Sequence, residues 1–129
     1  MHYHPDGYMA AVLASTTPQD RPKNLTWQDR APRADPDWAL VGKHSIAYTG
    51  PYRLNASVPV VATERGVEGQ VVHGPLDVAT LPSFMGTYQP RDFELVFCGG
   101  NRTGGEGTLL QLHSDLGKGT KMSLWWEKV

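Results

Sequence analysis

Short runs in which apolar and polar residues alternate recur along this chain, parted by turn residues, and that pattern constrains the fold more than any other feature. A strand places successive side chains on opposite faces, so a period of two marks a surface buried on one side only. RDFELVFC shows it most cleanly: Phe93, Leu95 and Phe97 share one face, Asp92 and Glu94 the other. MHYH and YMAAVLA, parted by Pro5, Asp6 and Gly7, read as a hairpin, because proline suits a fixed φ and glycine a positive one. HSIAYTGPYRL (His44–Leu54), EGQVVHGPLDVA (Glu68–Ala79), TLLQLHS and TKMSLWWEKV bring the total to about seven strands. Between the first hairpin and this series, residues 15–37 carry four prolines and almost no apolar periodicity, as a long lid-like loop would. DPDWALVGK closes that loop, with Asp35 placed to cap and Pro36 suited to the first helical position, and predicts one short helix over Pro36–Lys43.

Serial strands with short links and no βαβ alternation specify an up-and-down antiparallel sheet, and closing such a sheet removes its exposed edges. The expected fold is therefore all-β, a small antiparallel barrel with one short helix. Gly50 and Pro51 interrupt a segment otherwise rich in strand formers. A mid-strand glycine lets a barrel strand bend sharply, and the missing proline N–H is tolerated at a bulge, so the pair is expected to mark a corner. With 129 residues, 40% of them hydrophobic and 19% charged, the chain suits one domain with a real core, spanning 1–129.

Several function classes are disfavoured. A net charge of −1 provides no electrostatic footprint for nucleic acid, and no apolar run approaches the roughly 18 residues of a membrane span. Cys98 is the lone cysteine and MHYHPDGYM lacks the basic start and apolar run of a signal peptide, so the expected location is the cytoplasm. The sequons at Asn24, Asn55 and Asn101 are then read as chance. GGNRTGGEG lacks the Lys-Ser/Thr and following helix of a phosphate loop, so no nucleotide cofactor is expected. His2, His4 and Asp6 lie close together, but no motif supplies a further ligand, and no metal is expected. Cys98 has no neighbouring base and reads as inert.

DGYMAAVL, IAYTGPYRL, PSFMGTYQPR and LWWEKV, in that order, together resemble the lipocalin-like domain proteins of bacteria and fungi. That family's pattern runs Asp-Gly-Tyr-Met-Ser-Ala, Ala-Tyr-Thr-Gly-Arg-Tyr, Pro-x-Trp-x-Gly with an arginine downstream, and a closing Trp-Glu-Arg. Here Pro51 stands for the family's arginine, Phe84 for its tryptophan and Lys128 for its final arginine, and the His-rich strand keeps only His73. The resemblance implies a lipocalin-like barrel; the family's first, Gly-x-Trp strand has no counterpart before Met1, which reads either as a shortened relative or as a truncated start, and its absence would leave an edge near Met1–His4 for a second copy, as a homodimer. It also implies a hydrophobic small-molecule substrate and secondary-metabolite biosynthesis, where relatives include cofactor-free isomerases and cyclases of polyketide- or terpenoid-type intermediates.

Alternate residues line a barrel's interior. His44, Ile46, Tyr48, Gly50, Tyr52 and Leu54 form the more apolar set of their strand and are assigned inward. For Val71–Val78 neither set prevails, because a kink at Gly74-Pro75 would exchange the faces, so His73 is left undecided. Tyr48 and Tyr52 are either donors to a substrate carbonyl or core phenols; His73 is either an acid–base group or structural. Arg91 either holds an enolate, carboxylate or phenolate, or pairs with Asp92 or Glu94. These four are the catalytic candidates, and Tyr8, Phe84, Tyr88, Phe97 and Trp126 the candidates for substrate contact, with a core-filling role as the alternative for Phe97 and Trp126; Tyr3 and Tyr8 divide in the same way. Two functions compete: a cofactor-free isomerase or cyclase, and a non-catalytic carrier of the same apolar molecules. Polar groups beyond a carrier's needs favour the first.

Overall fold

The structure, a computed structural model, describes residues 1–97, 107–115 and 121–127; Cys98, most of the Gly99–Gly107 turn, the link after Asp115 and Lys128 lie outside them. The elements are β1 (His2–Tyr3), β2 (Tyr8–Ala14), α1 (Asp35–Lys43), β3 (Ser45–Leu54), β4 (Val61–Ala62), β5 (Gly66–His73), β6 (Val78–Ala79), β7 (Gln89–Phe97), β8 (Thr108–Asp115) and β9 (Lys121–Glu127). They build one nine-stranded antiparallel sheet in the order β1-β2-β3-β5-β7-β8-β9, with β4 on β5 and β6 on β3. The all-β lipocalin-like expectation holds, with the sheet curled into a half-barrel whose end strands, among the described residues, do not pair with each other. No helix among the described residues is long and apolar enough to cross a membrane.

The helix begins one residue earlier than its sequence signals imply. A 3₁₀ turn over Pro32–Ala34 runs straight into α1, so Ala34 occupies the capping position, with no side-chain cap, and Asp35 lies inside the first turn. A second 3₁₀ turn, Pro18–Asp20, lies in the long loop.

The segment Glu68–Ala79, expected as one strand, is two. β5 pairs with the later half of β3, Tyr52 opposite His73, whereas β6 pairs with its earlier half, Tyr48 opposite Ala79. Gly50 and Pro51 lie between these halves, and the connection from Gly74 to Asp77 passes directly over them. Gly74 N–H donates to Pro51 O at 2.7 Å and Asp77 N–H to Thr49 O at 3.0 Å. A Cβ on Gly50 would lie 3.0 Å from both Leu76 Cα and Pro75 O, so the glycine permits the close backbone approach that makes the corner. At Gly74 φ is +119°, a conformation that side-chain-bearing residues rarely adopt.

On β3 Ile46, Tyr48 and Tyr52 take the anticipated inward face, but His44 precedes the strand and faces Asp20, and Leu54 is 56% exposed. On β7 Phe93 and Leu95 share the core face as anticipated, while Val96 on the opposite face is buried as well. Met9 and Ala11 of β2, Tyr48 of β3 and Leu76 make one buried cluster, and Val71, Phe93 and Leu112 of β5, β7 and β8 make the other. Met1, Tyr3 and Tyr52 pack against both clusters, so the first strand and the end of β3 join the two halves of the core. That junction carries the polar groups described next.

Candidate functional site

Pairing register brings the site together. Tyr3 is opposite Met9, and Met9 opposite Gly50, so the Tyr3 side chain lies on the concave face over the position where β3 has no side chain. Tyr52 is opposite His73, and His73 continues the inward set of Val71. The face of His73, undecided by pattern, is thereby settled: it has 0% exposure.

Both imidazole nitrogens face phenols. The Tyr3 hydroxyl is 2.6 Å from His73 Nε2, and the Tyr48 hydroxyl is 3.5 Å from Nδ1, a loose contact. Burial holds the His73 imidazole at a pKa of about 4, with repulsion from Arg91 in the same direction, so the ring is neutral at neutral pH. Burial also pushes the Tyr3 hydroxyl up, reinforced by Tyr48 and Tyr52 and opposed by Arg91. The same cause raises Tyr48, again against Arg91. Both phenols therefore keep their protons. A neutral imidazole accepts at one nitrogen and donates at the other, so Tyr3, His73 and Tyr48 form a chain in which protons can be displaced in one sense without net charge.

Arg91 donates to Pro90 O at 2.7 Å and to Gln89 Oε1 at 3.3 Å. The alternative of an ion pair with Asp92 or Glu94 is not realised among the described residues: Asp92 accepts from Gln70 at 2.8 Å, and Glu94 lies 3.4 Å from Arg65. The guanidinium charge acts instead on the buried phenols and imidazole, where negative charge developing on an oxygen would be favoured.

Beside this cluster runs a groove of about 180 Å³, walled by Tyr3, Tyr52, Val71, Phe93, Leu110 and Leu112 among others. Every residue of its wall is aliphatic or aromatic. Tyr3 belongs to both features, with its ring on the groove and its hydroxyl on His73. A molecule held there would meet apolar walls, with the Tyr3 hydroxyl bonded to His73 beside the groove and not on its surface.

The sequence-derived candidates divide accordingly. Tyr48, His73 and Arg91 come together, and Tyr52 joins them as a wall, its ring edge-on to Tyr3 at 4.8 Å between centroids while its hydroxyl donates to His4 O at 3.1 Å. Phe84 packs behind Tyr48 at 6.2 Å, and Trp126 packs against the Val71, Phe93 and Leu112 cluster. Phe97 is half-buried at the end of β7, outside the groove wall. Tyr8 and Tyr88 are exposed and lie elsewhere: the Tyr8 hydroxyl donates to Asp77 Oδ2 at 2.5 Å, and Tyr88 stacks beneath Arg53, 5.3 Å from its ring centroid. Tyr3, which the sequence divides between core filling and ligand contact and which is not among the catalytic candidates, is the group that the structure adds to them. The hairpin register that Pro5-Asp6-Gly7 implies was the available signal, since it sets Tyr3 against the inward Met9.

No curated protein and no solved structure matches the chain. The lipocalin-like domain family does match it, over residues 1–129, and its half-barrel with an apolar groove on the concave face is consistent with that assignment. The chain belongs to the lipocalin-like domain family.

Proposed function

We propose that this protein is a cofactor-free isomerase or cyclase that acts on a carbonyl-bearing intermediate of polyketide or terpenoid type. The observation that carries this reading is His73, fully buried and neutral between two phenols, beside a guanidinium with no carboxylate partner among the described residues. In this mechanism the apolar part of the substrate lies along Val71, Phe93 and Leu112. Nε2–H of His73 donates to the Tyr3 oxygen, which frees the Tyr3 O–H to donate to the substrate carbonyl, while Tyr48 donates to Nδ1. Arg91 favours the negative charge that gathers on the phenol and carbonyl oxygens as the reaction proceeds. A carbonyl polarised in this way has more acidic neighbouring carbons and a lower barrier to ring closure or double-bond migration.

The all-apolar groove wall by itself also suits a carrier of the same molecules. Incubating the protein with a reactive carbonyl intermediate of this class, and following product structure and stereochemistry, separates the two. Catalysis predicts turnover above the buffer control that falls about 100-fold in both Tyr3→Phe and His73→Gln. Tight binding with turnover equal to buffer establishes the carrier instead. The proposal extends to a homodimer, supported by β1 having β2 as its one strand partner among the described residues. A stable monomer in sedimentation at high concentration would sink that extension.

A further inference from the structure

A second hollow lies where β2 ends and β3 begins, under the long loop. Ser15 N–H donates to His44 O at 2.9 Å, Ser15 Oγ donates to Asp20 Oδ2 at 2.6 Å, and His44 Nδ1 lies 3.5 Å from the same oxygen. From α1, Trp38 donates through Nε1 to Asp29 O at 2.6 Å. Trp27 meets Trp38 edge-on, 6.1 Å between centroids, and Arg30 lies 4.4 Å from the Trp27 ring centroid. These groups enclose about 300 Å³, walled by Arg21, Leu25, Trp27, Trp38, Val41 and His44 among others, and its lining shares no residue with the groove.

Tethering the loop to the sheet explains the Ser15–Asp20–His44 contacts and the Trp38 bond. The contacts with Arg30 and Trp38 account for part of Trp27, yet the indole keeps 71% exposure at the rim. Nor does tethering explain Arg21, which lines the hollow yet forms no ion pair among the described residues. Arg21 and Pro22 also border an adjoining depression of about 370 Å³ that includes Lys23, likewise without an ion-pair partner there. The one carboxylate in the wall, Asp20, is already engaged by Ser15 and His44. Arg30 covers one face of Trp27 and Trp38 stands at 82° to it, so what the hollow offers is the remaining exposed indole surface beside positive charge that has no ion-pair partner among the described residues. We propose that this hollow binds a planar aromatic carboxylate, its ring against Trp27 and Trp38 and its carboxylate on the Arg21 guanidinium. A planar guanidinium fork matches a carboxylate with two parallel hydrogen bonds, and indole faces favour a flat ring.

The test titrates nitrogen-labelled full-length protein with naphthoate, naphthol and cyclohexanecarboxylate, reading the indole N–H resonances. Naphthoate should saturate and shift Trp27 and Trp38, with the neutral and the non-planar probes each about ten-fold weaker. Arg21→Gln and Trp27→Ala, both at exposed positions, should each weaken naphthoate about ten-fold with the amide spectrum otherwise unchanged, and Arg91→Gln should leave it unaffected. Three results would overturn the proposal: no saturable shift at millimolar naphthoate, equal binding of naphthol, or loss of binding in Arg91→Gln but not in Arg21→Gln.

Discussion

His73 and His44 sit in two polar clusters of the same half-barrel and differ in every respect that governs an imidazole. His73 is sealed from solvent and faces two protonated phenols, whereas His44 is partly exposed and faces the Asp20 carboxylate. Burial without a counter-charge keeps His73 neutral and able to relay a proton. A carboxylate at the rim gives His44 a polar partner and a tethering role. The nearby glycines differ too: Gly74, next to His73, is locked at φ +119° against backbone, whereas a Cβ on Gly42, two residues before His44, would meet nothing within 4 Å.

The largest effect should come from forcing that locked glycine. In Gly74→Ala the new Cβ would lie 2.4 Å from Thr87 O as well as in a strained conformation, so the variant should lose about 4 kcal/mol in denaturant unfolding. His73→Ala should follow, at about 3 kcal/mol, because it opens a cavity and leaves the Tyr3 and Tyr48 hydroxyls short of a partner; His44→Ala should lose about 1 kcal/mol or less. Equal losses at the two histidines would dissolve the contrast.

Acid sharpens it further. The imidazole of His73 has its ordinary value of 6.5 in the unfolded chain and about 4 in the folded one, so between these pH values the unfolded chain binds a proton that the folded chain does not. Stability contributed by the neutral ring is complete above pH 6.5 and is lost as pH falls to about 4, an overall loss of about 3 kcal/mol. Unfolding midpoints measured across that range should fall for the parent chain and for His44→Gln, and should flatten in His73→Gln. The smallest effect is a gain. Gly42→Ala, inside α1 with open space around it, should stabilise by about 0.5–1 kcal/mol in thermal unfolding, and a loss there would reveal a neighbour that the structure does not place.

Local chemistry explains what could be read directly. The shared face of Phe93 and Leu95, the inward file of Ile46, Tyr48 and Tyr52, the corner at Gly50 and Pro51 and the short helix all depend on neighbours in the chain, because strand alternation and proline and glycine geometry are properties of the backbone itself. The site was legible only in part. Tyr48, His73 and Arg91 stood out as chemically able residues, whereas Tyr3 was divided between core and ligand contact, since its partner is 70 residues away and only the β1–β2, β2–β3 and β3–β5 registers bring them together. The face of His73 and the splitting of Glu68–Ala79 into β5 and β6 were equally out of reach. Val71 and Val72 are both apolar and both buried, so alternation carries no sign there. Which way the chain turns at Gly74 is decided by the β3 carbonyls of Thr49 and Pro51, which receive its hydrogen bonds only once the sheet has formed.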